Sequence, residues 1–116
     1  MYQAMNALGY DASTLGNHEF NYGLDYLKKI IATANLPILN ANVLDFKTHQ
    51  PVFKTYDIIT KTFKDSTGRA VALNIGITGI VPPQILNWDK ANLEGKVIVK
   101  DSVKAIEEIV PTMRAK

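Results

Sequence analysis

The strongest constraint in this sequence is a pair of β-prone runs joined by a tight turn. Tyr56 to Lys64 is rich in β-branched and aromatic residues, which suit a pleated, half-buried surface. Asp65-Ser66-Thr67-Gly68 follows. These residue types make turns, because short polar side chains bond nearby backbone and glycine accepts positive φ. Val71, Leu73, Ile75 and Ile77 then alternate, the pattern of a strand with one buried face. Together the two runs predict a β-hairpin. Gly79-Ile80-Val81-Pro82-Pro83 ends the second strand abruptly, since neither proline can donate to a ladder.

Helical patterns flank this hairpin. Met1, Met5 and Leu8, with Ala4 beside them, read as the last two turns of an amphipathic helix that Gly9 ends. Starting at residue 1 with no capping residue, that helix reads as cut rather than started. Ala12 to Leu15 is a short strand candidate. Leu24, Leu27, Ile31 and Ala34 lie on one face of a second helix, with Asn21 placed as its N-cap and Asn35 and Pro37 closing it. Ile38 to Leu44 is apolar with Asn40 and Asn42 interleaved, giving a strand or strand-to-loop passage, and Asp45 to Pro51 is loop. Gln84 to Gly95 reads as loop with one helical turn around Ile85 to Trp88, and Val97 to Val99 as a short strand. Val103, Ile106, Val110 and Met113 form the stripe of a last helix, capped by Asp101 or Ser102. Pro111 should kink or end it. The order of elements predicts α/β layers.

Composition narrows the function classes. A chain of 116 residues can bury roughly two-thirds of the surface its unfolded form exposes. Its net charge of +2 argues against a nucleic-acid polymer as partner. There is no cysteine, which excludes disulfides, thiolate zinc sites and cysteine nucleophiles. No run approaches the roughly 20 apolar residues of a membrane helix, so no membrane partner is expected. The first residues lack the basic head and apolar stretch of a signal peptide. His18 and His49 are the two histidines.

The segment Thr14 to Gly23 carries the chemistry. It lies where a short strand gives way to a helix, and ligand sites in α/β sheets gather at the carboxyl ends of strands. Gly16 would let the backbone turn sharply after the strand. Asn17 offers a neutral oxygen to a divalent ion. His18 could ligate metal or act on a phosphate as donor or acid. Glu19 could orient a neighbour by hydrogen bonding. The bland alternative is a loop whose Asn and His merely cap the helix. His49 lies in a polar loop and reads as solvated. Trp88 reads as an anchor of its loop on the core rather than the wall of a nucleotide pocket. Lys28-Lys29, Lys96 and Lys100 read as solvated faces.

Gly16-Asn17-His18-Glu19 resembles motif III of the calcineurin-like metallophosphoesterases. The longer run through Phe20-Asn21-Tyr22-Gly23 looks like the nucleotidase branch. Ala41-Asn42-Val43, Gly79 to Ile85, and Trp88-Asp89-Lys90-Ala91-Asn92-Leu93 resemble the bacterial 2',3'-cyclic-nucleotide 2'-phosphodiesterase/3'-nucleotidases. The resemblance covers nearly the whole chain and matches an internal stretch of longer enzymes. It implies a partial calcineurin-like fold, part of a four-layer α/β/β/α sandwich, with the hairpin.

The resemblance also implies roles. Asn17 inherits the place of a ligand to the second of two divalent metals, with Mn, Zn, Co and Fe not distinguished. His18 inherits contact with the reacting phosphate. Many 5'-nucleotidases pair that histidine with an Asp; here the position is Asn21, whose neutral amide would orient His18 without stabilising its imidazolium as a carboxylate does. The implied chemistry is hydrolysis by metal-activated water of 2',3'-cyclic nucleotides and 3'-nucleotides. The implied location is periplasmic, cell-wall or extracellular.

The family uses five motifs, and only the third is found here. Residues 1–116 therefore read as a segment between motifs II and IV of the catalytic domain. One Asn and one His cannot hold two metals, so no metal stably bound by this chain and no turnover by it alone are expected. The alternative is a non-catalytic binding or interaction module on the same scaffold. Open sheet edges make self-association a third expectation.

Overall fold

A computed structural model describes all residues from Met1 to Lys116. The hairpin forms as its sequence dictates. β4, Tyr56–Lys64, and β5, Ala70–Thr78, are antiparallel and stay in register from Tyr56 opposite Thr78 to Lys64 opposite Ala70. Asp65 organises the turn: its Oδ1 accepts from the backbone N–H groups of Thr67 and Arg69 at 2.8 and 3.0 Å. Gly68 takes φ 82° there, a conformation that costs other residues.

The burial of the hairpin departs from expectation. Its apolar face carries Phe63, Leu73 and Ile75, which are 48, 48 and 36% exposed. Helix α5, Ser102–Arg114, instead meets the opposite face. Gly76 stands there beside Ile58, and a Cβ built on it would lie 2.6 Å from Met113 Cε. Val71, Leu73, Ile75 and Ile77 alternate correctly, but the helix packs where the glycine leaves room.

The body of the molecule surrounds two short sheets. β1, Ser13–Thr14, runs parallel to β2, Ile38–Leu39. β3, Val43–Asp45, runs antiparallel to β6, Val97–Val99. The run Ile38 to Leu44 is thus split between two sheets. Asn40 causes the break: its Oδ1 accepts from Asn42 N–H at 3.1 Å and Val43 N–H at 2.8 Å, satisfying donors a ladder would otherwise take. Asn42 is fully buried. It donates to the carbonyls of Val81 and Lys100 at 2.7 and 3.1 Å and accepts from Val81 N–H at 2.9 Å. One side chain therefore stitches three strand ends together. Phe20, Leu39, Val43, Val81, Ile85 and Leu93 close around this point with almost no exposure, and each fully buried large side chain contributes about 1.5–3 kcal/mol.

The helices refine several expectations. α1, Tyr2–Leu8, ends at Gly9 with φ 69°, as its pattern requires. α2, Leu24–Ile31, stops before Ala34 and is entered through Gly23 rather than capped by Asn21. Gln84 to Gly95 holds two short helices, α3 at Ile85–Trp88 and α4 at Lys90–Leu93. Trp88 is 60% exposed, so it does not anchor this segment; the buried Ile85 and Leu93 do. Asp101 caps α5 by accepting from Lys104 N–H at 3.0 Å. Pro111 does not end α5, which runs on to Arg114; so near the terminus it removes a single helical hydrogen bond.

The result is an α/β arrangement with a hairpin. The radius of gyration is 16.2 Å, against about 13 Å for a compact domain of this length, and the extents are 56 × 33 × 21 Å. Strands of nine residues span about 30 Å, and most of the hairpin lies exposed beyond the body.

Candidate active site

The segment after β1 forms a 3₁₀ turn, Asn17–Phe20, rather than an open loop. Leu15 is buried on one side of it and Phe20 on the other. Phe20 meets Phe53 edge-on with ring centroids 6.2 Å apart. These two anchors leave Asn17 half-buried and His18 exposed between them. Glu19 turns back and accepts from Gly16 N–H at 2.9 Å, so it steadies the turn's own entrance.

Gly16 serves a different purpose from the expected one. Its backbone is extended, φ −98° and ψ −178°, which any residue adopts. Its missing side chain instead leaves space for the Glu19 carboxylate, which would lie 2.9 Å from a Cβ. The sharp turn belongs to Gly23, at φ 88° and ψ 164°, a region open essentially to glycine alone.

His18 Nδ1 lies 2.9 Å from Asn21 Oδ1. Asn21 Nδ2 in turn donates to Asp89 Oδ1 at 3.1 Å. Asn92, from α4, donates to the Asn21 carbonyl at 3.0 Å. Asn21 is thus the centre of a relay rather than a helix cap. Asp89 is 8% exposed and joins α3 to α4. The Trp88 to Leu93 run that resembles the family contains it, but no local pattern ties it to Asn21: it stands 68 residues away, and only the packing of α3 and α4 under the 3₁₀ turn brings it in.

Beside His18 is a shallow cavity of about 450 Å³, with Tyr2, Tyr22, Tyr26 and Leu27 in its walls. Tyr22 and Tyr26 stack at a tilt, centroids 5.4 Å apart, and both are exposed. Burial, and then the charge of Glu19, push the Tyr2 phenol above its usual pKa. A larger depression of about 570 Å³ lies between Gly76 and Met113, with no residue of the His18 relay in its walls. His49 is exposed at φ 57° in its loop.

The residues present do not by themselves fit a metal centre. No group of three or more His, Asp or Glu side chains is gathered anywhere in the chain. Asn17 offers one neutral oxygen, and metal sites draw on three or more protein ligands.

A parallel strand pair delivers Asn17 and His18 to its carboxyl end, on an α/β scaffold with a flanking hairpin. The crystal structure of the calcineurin-like phosphoesterase YfkN from Bacillus subtilis matches 98% of this chain with a TM-score of 0.93 and 49% identity, over 34% of its own length. The chain belongs to the calcineurin-like phosphoesterases. It is 52% identical over 98% of its length to a 2',3'-cyclic-nucleotide 2'-phosphodiesterase/3'-nucleotidase of Yersinia enterocolitica, and 50% identical throughout to one of Salmonella typhimurium. It spans 18% of the length of each. A sulfate thiohydrolase, SoxB, of Thermus thermophilus shares the fold alone, with a TM-score of 0.77 and 16% identity. No protein-family model matches the chain. No helix is long and apolar enough to cross a membrane.

Proposed function

We propose that residues 1–116 supply the phosphate-facing turn of an enzyme that hydrolyses 2',3'-cyclic nucleotides to 3'-nucleotides and removes the 3'-phosphate. The segment lies between the second and fourth motifs of the catalytic domain, and the enzyme works in the periplasm or at the cell wall. The observation that carries the reading is the hydrogen-bonded placement of His18, with Asn17 beside it, past the end of β1. Likeness to the two named phosphodiesterase/nucleotidases supports the substrate class.

The chain's own residues divide the work. His18 Nδ1 is engaged by Asn21, which leaves Nε2 to meet a phosphate oxygen. When the ring is protonated, Nε2–H donates to the charge that develops on that oxygen or on the leaving group. Asn17 would offer its amide oxygen to the second of the two divalent ions that the wider site would hold. Glu19 and Gly16 keep both side chains in place.

A chimera tests this. The matching segment of YfkN is replaced by residues 1–116, and hydrolysis of 2',3'-cyclic AMP and 3'-AMP is measured. The chimera should be active, and His18→Ala should lower kcat by about 10²- to 10⁴-fold. The 116-residue chain alone should show no turnover with any divalent metal. A folded chimera whose rate survives His18→Ala would sink the assignment, as would a metal-dependent rate from the chain alone that His18→Ala abolishes.

A further inference from the structure

We infer that Asp89 is a positioning residue: through Asn21 it holds neutral His18 as the Nδ1–H tautomer and leaves Nε2 free. An amide side chain has two ends of opposite character, an oxygen that accepts and an NH₂ that donates. Asp89 Oδ1 stands 3.1 Å from one end of the Asn21 amide. An ionised carboxylate only accepts, so that end is the NH₂. The reversed amide would set two oxygens against each other, one of them on a carboxylate that is only 8% exposed. The oxygen end therefore faces His18 Nδ1 at 2.9 Å. An oxygen with no proton forces Nδ1 to be the donor.

The geometry around the relay leaves it little freedom. Asn92 holds the Asn21 backbone carbonyl at 3.0 Å. Asn21 follows directly on Phe20, which is fully buried. Asp89 N–H and carbonyl are both spent inside α3 and α4, on Ile85, Asn92 and Leu93. Its side chain is therefore aimed at the turn by two helices at once. The carboxylate sits one amide away from the histidine instead of against it, and acts on the ring through the orientation of that amide.

The inference rests on the phosphoesterase reading only for what Nε2 meets; the tautomer itself does not depend on it. The test is ¹⁵N NMR of the ring nitrogens of His18 in the 116-residue chain, at a pH of about 8.5, where an ordinary histidine is neutral. The wild-type chain should show one tautomer, Nδ1–H. Asp89→Asn, which can turn either end of its amide to Asn21, and Asp89→Ala should populate both tautomers. Asn21→Asp added to Asp89→Asn should restore Nδ1–H, because the new Asp accepts from both neighbours. In the YfkN chimera, Asp89→Asn should lower kcat by about 10- to 100-fold with little change in KM, and the double variant should recover it.

An Nε2–H tautomer in the wild-type chain would overturn the inference. So would an unchanged tautomer in folded Asp89→Asn and Asp89→Ala. If the tautomers shift as described while the chimera stays inactive, the enzymatic reading fails and the positioning of His18 stands.

Discussion

The body around Asn42 and the hairpin of β4 and β5 are held together in opposite ways. In the body the strands are two or three residues long, too short to cohere by ladder bonds. Side chains complete them: Asn40 and Asn42 make five hydrogen bonds to backbone groups, all at or near full burial. In the hairpin the backbone does nearly everything. Nine residue pairs stay in register, one aspartate shapes the turn, and the apolar face remains half open. An exposed ion pair from Lys61 to Asp11 at 2.7 Å ties it to the body, worth at most about 1 kcal/mol. A single atom should therefore matter in the body and matter little in the hairpin.

The largest effect should come from Asn42→Leu. It strands Val81 N–H and two carbonyls away from water, a loss of about 3–5 kcal/mol. Urea or thermal unfolding should show most of the stability gone. An unchanged midpoint would mean that the body coheres by apolar packing alone.

Gly79→Ala should come next. A Cβ there would lie 2.6 Å from Thr14 Cγ2 and 2.8 Å from the Leu39 carbonyl oxygen, and backbone cannot step aside cheaply. The expected cost is about 1–3 kcal/mol, read as a lower unfolding midpoint. A neutral result would loosen the contact between the end of β5 and the β1–β2 pair.

On the hairpin, Leu73→Lys with Ile75→Lys should change stability by no more than about 0.5 kcal/mol. The pair should nonetheless reduce self-association at high concentration, because open edges and an apolar face invite pairing. Light scattering reads this directly. A wild-type chain that stays strictly monomeric would end the self-association proposal, and a large stability loss would show that the face is buried after all.

The smallest difference concerns two turn aspartates, one in each region. Backbone N–H bonds from Thr48 and Lys47 hold Asp45 below its usual pKa. The Thr67 side chain and the Arg69 N–H do the same for Asp65. A depressed folded-state value means that the unfolded chain binds more protons in acid, so these carboxylates stabilise the fold above a pH of about 4 and lose that effect as pH falls through their folded values. Asp65→Asn should flatten the acid side of the stability curve slightly. An unaltered curve would show that the turn's hydrogen bonds do not favour the charged form.

Much of the local structure was legible because it depends on neighbours in the chain. The hairpin, its turn at Asp65, the stop at Gly9 and the Asp101 cap follow from alternation and short-range hydrogen bonding. The Gly16-Asn17-His18-Glu19 string was legible too, since its spacing is dictated by one turn after a strand. Asn21 was legible as the partner of His18 but not as a helix cap avoided, because Gly23 reshapes the entry to α2. Asp89 was legible only as part of the Trp88 to Leu93 run that resembles the family, not as a partner of the turn: nothing between residues 22 and 88 announces that α3 and α4 will bring a carboxylate under it. Trp88 misled for a related reason, since size and apolar surface predict burial only when a neighbour arrives to cover it.

The sequence by itself determined which segments pair or coil locally, and it carries the Gly16-Asn17-His18-Glu19 string that follows the first strand. Those properties live in periodicity and in residues one to four positions apart. Tertiary structure alone decided which hairpin face α5 covers, how Asn42 joins three strand ends, and which buried carboxylate directs His18. These are contacts between residues tens of positions apart, and they exist only once the chain has closed around them.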